Sequence, residues 1–166
     1  LFSHFSNFIK FKIFSKMMHL NVGDKAPDFN IPDENGNLHT LNQYKGKKLV
    51  LYFYPKASTP GCTVQACNLR DNYEALLAQG FEVLGISADE QPKLQKFIKK
   101  QNLPFHLLSD IDKKMLKDYG VWGLKKFMGK EYDGIHRTTF VINPDGIITE
   151  IITKVKTKEH YAQIVK

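Results

Sequence analysis

Only two cysteines occur in the 166 residues, Cys62 and Cys67, five positions apart in Thr59-Pro60-Gly61-Cys62-Thr63-Val64-Gln65-Ala66-Cys67. A thiolate is a strong nucleophile and a thiol is not, so the chemistry of either sulfur turns on what would hold it ionised. Threonine followed by proline is a helix-start signal. Threonine suits the N-cap, and proline suits the first helical position because its missing N–H would have no acceptor there. Cys62 then falls at the third helical position, beside backbone N–H groups without intrahelical partners, where the positive end of the helix dipole favours an anion. Cys62 is the candidate nucleophile.

The second sulfur lies on the same helix. Counting from Cys62, Ala66, Leu69, Tyr73 and Leu76 recur at helical spacing and predict the buried stripe, with Gly80 as a left-handed stop. Cys67 falls in register with Arg70, Asp71 and Glu74, so one thiol is expected to point inward and the other toward water. In an ideal helix, residues five apart have Cα atoms roughly 8–9 Å apart, whereas a disulfide needs about 7 Å or less. The pair can bond only if the first turn unwinds. The competing reading is that both are ordinary small apolar residues. A metal site at the thiols is disfavoured, because neither Cys-x-x-Cys nor His-x-x-x-His spacing accompanies them.

The elements that must position Cys62 follow from the hydrophobic pattern. Lys48–Tyr54 is too continuously apolar to be half exposed, so it predicts a central strand covered on both faces, ending at Pro55. That delivers the cysteine loop at the C-terminal edge of a strand, where ligands bind in open α/β sheets. Upstream, Val22–Leu41 reads as an entry segment and a small hairpin turning at Asn35-Gly36. Downstream, Phe81–Ser87 and Phe105–Leu108 read as strands, and Pro92–Gln101 and Lys113–Tyr119 as helices, the latter stopped by Gly120. Val121–Gly134 reads as a long loop holding the only tryptophan. Arg137–Ile142 and Ile147–Lys154 form a hairpin around Asn143-Pro144-Asp145-Gly146, and Thr157 is expected to cap a final helix. The fold class is α/β, a central mixed sheet flanked by helices with an N-terminal hairpin addition.

Length fits one domain, and two cysteines in a chain this size point to a reducing compartment. No apolar run approaches the ~18 residues that span a bilayer. The formal net charge is +7, of which Lys10, Lys12 and Lys16 supply three before the first acidic residue, Asp24. The remaining lysines are interspersed with acids, which leaves nucleic-acid binding without support. Residues 1–16 carry Phe2, Phe5, Phe8, Phe11 and Phe14, a period of three that makes no single helical stripe. Residues 1–19 are therefore expected to be a leader or upstream extension, with translation starting at Met17 or Met18, and residues 20–166 a single domain. The expected location is cytoplasmic, with organellar targeting by residues 1–16 the alternative.

Pro55-x-x-x-Thr59-x-x-Cys62 resembles the active-site signature of the peroxiredoxins. The longer runs Tyr52-Phe53-Tyr54-Pro55-Lys56 and Gln65-Ala66-Cys67-Asn68-Leu69-Arg70-Asp71 are similar to the peroxiredoxin Q, or bacterioferritin comigratory protein, branch. Tyr119-Gly120-Val121-Trp122-Gly123 and Gly134-Ile135-His136-Arg137-Thr138-Thr139-Phe140-Val141-Ile142 extend the likeness, which runs from about Leu20 to the C-terminus. The resemblance implies a thioredoxin-like fold and a peroxidase acting on hydrogen peroxide and organic hydroperoxides, without cofactor or metal. A thiolate cleaves the weak O–O bond to give a sulfenic acid and an alkoxide or hydroxide. Thr59 would offer its hydroxyl and Gly61 its backbone N–H, and Arg137 is the cation that the resemblance implies. Pro55 and Pro60 would shape the loop and shield the sulfur. Cys67 would attack the sulfenic acid to form an intramolecular disulfide, recycled by an external dithiol that the resemblance implies is thioredoxin. Two thiols on one helix need no second subunit, so a monomer is expected. Leu124 departs from the family's more frequent acidic residue, and Gln65 is one of the variants seen after the nucleophile. His136 is expected to be structural, and Trp122 to pack under the long loop or line the substrate mouth. Two further readings remain: a dithiol–disulfide oxidoreductase or redox sensor, which would want Cys-x-x-Cys, and a non-catalytic module of the same fold.

Overall fold

The computed structural model describes residues 19–166; the reading of the leader, but for its last residue, lies outside them. At the centre stands β3 (Lys48–Phe53), paired in parallel with β4 (Phe81–Ser87) and antiparallel with β8 (Thr138–Ile142). β5 (His106–Ser109) extends the sheet beside β4 and β9 (Ile148–Ile152) beside β8, giving the order β5-β4-β3-β8-β9. The alternation of side chains along β3 divides the core. Leu49, Leu51 and Phe53 enter one apolar cluster with Tyr119 and Phe140, while Val50, Tyr52 and the following Tyr54 enter the other with Cys62, Ala66 and Phe97. A strand that feeds two cores has no polar face, which is why its sequence shows no alternation. Gly85 on β4 lies under this packing: a Cβ there would sit 2.6 Å from Leu107 Cδ2 and 2.7 Å from Tyr52 Cζ.

The helices are α1 (Pro60–Asp71), α2 (Tyr73–Ala78), α3 (Gln91–Gln101), α4 (Lys114–Asp118) and α5 (His160–Val165). β1 (Asn30–Pro32) and β2 (Leu38–Thr40) form the N-terminal hairpin, with Gly36 at φ +84° in its turn, and a short 3-10 helix (Leu41–Tyr44) follows. Asp33 bridges Leu108, which fastens the hairpin to the sheet's β5 edge.

Three expectations are corrected. The helix predicted to run unbroken to Gly80 is interrupted at Asn72, whose side-chain amide donates to Asn68 O at 2.8 Å; the predicted stripe survives the break, with Ala66, Leu69 and Leu76 fully buried. The segment read as a long loop is a second hairpin, β6 (Trp122–Phe127) and β7 (Lys130–Ile135). Its turn is Met128-Gly129, with φ values of +49° and +79°. Two consecutive positive φ angles make the tight hairpin turn that matches strand twist. Because the strands are largely exposed, no apolar alternation marks them. Thr157 does not cap α5, which starts after Glu159. Asn68 on α1 takes over instead: its Oδ1 accepts from Tyr161 N at 2.8 Å and its Nδ2 donates to Lys158 O at 3.0 Å. The cap comes from another helix, so no local pattern announces it.

Candidate active site

β3 releases the chain at Phe53, and the loop that follows is held by the next strand rather than by itself. Ala57 N donates to Asp89 Oδ2 at 2.7 Å, and Ser87 Oγ donates to the same oxygen at 2.9 Å. Ser109 Oγ donates to Asp89 O at 2.6 Å, so the loop is tied to the C-terminal ends of both β4 and β5. At Thr59 the backbone turns from extended to helical (φ −89°, ψ 155°), and Thr63 N donating to Thr59 O at 2.9 Å is the first bond of the α1 ladder. The amides of Gly61 and Cys62 precede that bond and face the helix start. The Thr59 side chain does not cap the helix as expected. Its hydroxyl donates to Lys56 O at 2.7 Å, which leaves the oxygen's lone pairs to face a ligand.

Cys62 is 2% exposed, seated among Tyr52, Tyr54, Ala57 and Ala66. Arg137 reaches its sulfur: Nη2 donates to Cys62 Sγ at 3.3 Å, and Nη1 donates to Gln65 Oε1. Sheet register explains the meeting. Phe53 pairs with Thr138 across β3 and β8, so Arg137 emerges beside the point where β3 hands over to the cysteine loop. Gly61 lies against the same guanidinium: a Cβ there would make an ordinary contact, 3.4 Å from Arg137 Nη2. The guanidinium sets a fixed positive charge and an N–H donor directly at the sulfur. The hydroxyls of Tyr52 and Tyr54 are buried and find no partner among the described residues. Burial pushes both phenols up, so they stay protonated beside the sulfur.

Pro55 is half-buried and lines a cleft of about 340 Å³ with Ala88, Trp122, Lys125, Tyr132 and Gly134. Trp122 thus does line a mouth beside the loop, while packing against the core below. Pro60 is exposed at the first helical position, so it starts the helix rather than covering the sulfur. Lys125 donates to Ile135 O at 2.9 Å; burial, and then the Arg137 charge, hold its ammonium below the usual lysine range. His136, expected to be structural, donates from Nε2 to Leu124 O at 3.1 Å.

Cys67 does not project into water. It is half-buried, and its thiol donates to Gln101 Oε1 at 3.5 Å, while Arg70 Nη1 donates to Gln101 O at 2.7 Å. Both cysteines are free thiols on one continuous helix. Sequence reasoning missed three residues of this site. Gln65, fully buried with its Nε2 unpartnered among the described residues, holds Arg137 in place. Asp89 anchors the loop, and its position just beyond a strand parallel to β3 was the signal for it. Lys125 came into the site with the unforeseen hairpin.

The AhpC/TSA family model matches residues 22–151. The chain belongs to the AhpC/TSA family. It is 50% identical over 145 residues to peroxiredoxin Bcp of Escherichia coli K12, covering 87% of this chain and 93% of that one. It is 46% identical over 146 residues to peroxiredoxin Bcp of Bacillus subtilis 168, covering 88% and 93%. Among solved structures, a peroxiredoxin Q of Xylella fastidiosa superposes with a TM-score of 0.83 at 31% identity, over 88% of this chain and 93% of that one. The bacterioferritin comigratory protein of Xanthomonas campestris, studied for its alkyl peroxide reduction, gives 0.79 at 31% identity, over 89% and 94%. This family member has the thioredoxin-like fold and is a thiol-dependent peroxidase, an oxidoreductase that takes a peroxide as acceptor and a thiol as reductant.

Proposed function

We propose that Cys62 is the peroxidatic nucleophile and Cys67 the resolving thiol of a cycle that reduces hydrogen peroxide and alkyl hydroperoxides at the expense of thioredoxin. The observation that carries this is the 3.3 Å contact of Arg137 Nη2 with Cys62 Sγ at the third position of α1. A thiolate at that point faces a fixed cation, the free amides of Gly61 and Cys62, and the lone pairs of Thr59. In the first step the Cys62 thiolate attacks one peroxide oxygen, the O–O bond breaks, and the alkoxide or hydroxide leaves to take a proton. Arg137 and the Gly61 amide stabilise the leaving charge, Thr59 accepts the peroxide's O–H and Pro55 forms the wall of the approach. In the second step the Cys67 sulfur displaces water from the Cys62 sulfenic acid, forming the S–S bond. An external dithiol then takes over the disulfide by exchange.

The second step needs the start of α1 to unwind, and the first step prepares it. Oxidation converts an anion held by Arg137 and by the helix dipole into a neutral sulfenic acid, which removes the charge that favoured the wound turn. The cycle is complete within one chain, so the proposed enzyme is a monomer, with residues 20–166 as the working domain and the cytoplasm as its place; among the described residues no helix is long and apolar enough to cross a membrane.

The test is hydrogen peroxide consumption coupled to a thioredoxin system for the wild type, Cys62→Ser and Cys67→Ser, with mass spectrometry of the products. Loss of activity in Cys62→Ser, together with a single turnover of Cys67→Ser that stalls as a sulfenic or over-oxidised species, supports the assignment. A Cys67→Ser enzyme that still cycles with thioredoxin refutes the resolving role.

A further inference from the structure

Away from the thiols, three side chains with metal-ligand chemistry converge where the N-terminal hairpin meets β5. Asp33 Oδ2, His39 Nε2 and His106 Nδ1 all lie within 4.8 Å of one another. His39 Nε2 is 2.7 Å from Asp33 Oδ2, and His106 Nδ1 is 3.3 Å from the same oxygen. Glu34 Oε1 stands 2.8 Å from His106 Nδ1. Asp33, Glu34 and His39 are each aimed by a second contact. Asp33 Oδ1 accepts from Asn35 N at 2.8 Å and Asn37 N at 3.1 Å, and Glu34 Oε2 accepts from Leu107 N at 3.2 Å. The other ring nitrogen of His39 meets Tyr44 OH at 2.7 Å. Backbone amides therefore occupy the outer carboxylate oxygens, as outer partners of metal ligands do, and the inner ones face the imidazole nitrogens.

Asp33 is 1% exposed and Glu34 7%, and among the described residues their ion-pair partners are imidazoles. We propose that Asp33, His39 and His106 form a binding site for a divalent transition-metal ion of the zinc class. Two imidazoles and one carboxylate suit zinc better than the all-oxygen sets preferred by calcium or magnesium, and leave a fourth position for water. Tetrahedral zinc ligands at ~2.0–2.1 Å from the metal stand roughly 3.3 Å apart. The His106–Asp33 separation already matches, and the His39–Asp33 pair needs to open by only roughly 0.6 Å from its 2.7 Å hydrogen bond. His106 is half exposed, which gives the ion a way in. No short-range spacing signals the site, because Asp33 and His106 meet only through the bridge from Asp33 to Leu108. A bound ion would brace the hairpin against the sheet edge.

Zinc titration by calorimetry tests this on the full chain carrying Cys62→Ser and Cys67→Ser, so that thiolates do not compete. One equivalent is expected to bind, His106→Ala is expected to weaken it by at least about tenfold, the loss typical of removing even an outer partner, and His19→Ala, at an exposed position, to leave it unchanged. His39→Ala should act like His106→Ala; if circular dichroism shows that it unfolds the chain, the His106→Ala result stands alone. Absence of zinc uptake, or uptake indifferent to His106→Ala, overturns the proposal.

Discussion

Two buried titratable groups should oppose one another in acid, and a single substitution should unmask the opposition. His160 is fully buried, with Nε2 accepting from Thr139 Oγ1 at 2.9 Å and Nδ1 donating to Gln163 Oε1 at 3.3 Å; burial pushes it down to about 4. Asp110 is 1% exposed, accepts one bond from Leu116 N at 2.8 Å and leaves Oδ1 without a partner among the described residues; burial pushes it up to about 6. As pH falls, the unfolded chain protonates His160 first, near its ordinary value of 6.5, so stability is lost from there down to about 4. Asp110 works in reverse: the folded chain takes its proton first, near about 6, so stability is gained until the unfolded carboxyl titrates near 3.8. At about pH 4 the histidine has cost about 3 kcal/mol and the aspartate has returned about 2 kcal/mol. Asp110→Asn keeps an acceptor for Leu116 N and deletes the gain. Urea unfolding followed by circular dichroism at about pH 7 and about pH 4 should show the variant's stability, relative to wild type, falling by about 2 kcal/mol across that interval. Carboxylates other than Asp110 and its partner Asp112 titrate alike in both proteins and cancel in the difference. Parallel losses in the two proteins would refute the reasoning.

Arg137→Lys keeps a charge but loses the fork that joins Cys62 Sγ to Gln65 Oε1; stopped-flow measurement should show the rate of peroxide reduction falling by about 10²–10³-fold. Gln65→Ala, which leaves Cys62 and Arg137 in place but frees Nη1, should cost about tenfold in the same assay, roughly one lost charge-assisted bond. Gly85→Ala forces a Cβ to within 2.6 Å of Leu107 Cδ2 and 2.7 Å of Tyr52 Cζ, and should lower stability in urea by about 1–3 kcal/mol.

The parts of the site legible in sequence are those fixed by short-range rules. Thr59-Pro60 opens the helix, and the apolar run Lys48–Tyr54 is the central strand that leads to it. Asn35-Gly36 turns the first hairpin through a glycine at positive φ. What escaped depends on partners remote in the chain. Cys67 was placed in water by helical register alone, yet α3 brings Gln101 over it. Gln65 carries no apolar signal, and it is buried beneath the arginine that arrives just before β8. The β6–β7 hairpin is too exposed to show a period, and Met128 is an unusual residue for the positive φ its turn requires. Likewise the Thr157 cap failed because Asn68, on another helix, does that work.

The break at Asn72 has a mechanical consequence. Fraying travels along a helix one hydrogen bond at a time, and an uninterrupted helix to Gly80 would transmit it into the packing beneath β4. Divided at Asn72, the chain confines any rearrangement around Cys62 to α1, while α2 stays moored by the fully buried Leu76. The joint insulates the scaffold from its moving part. A spin label on exposed Leu77 should therefore be blind to the redox state of the enzyme, whereas one at exposed Ser58 should report it.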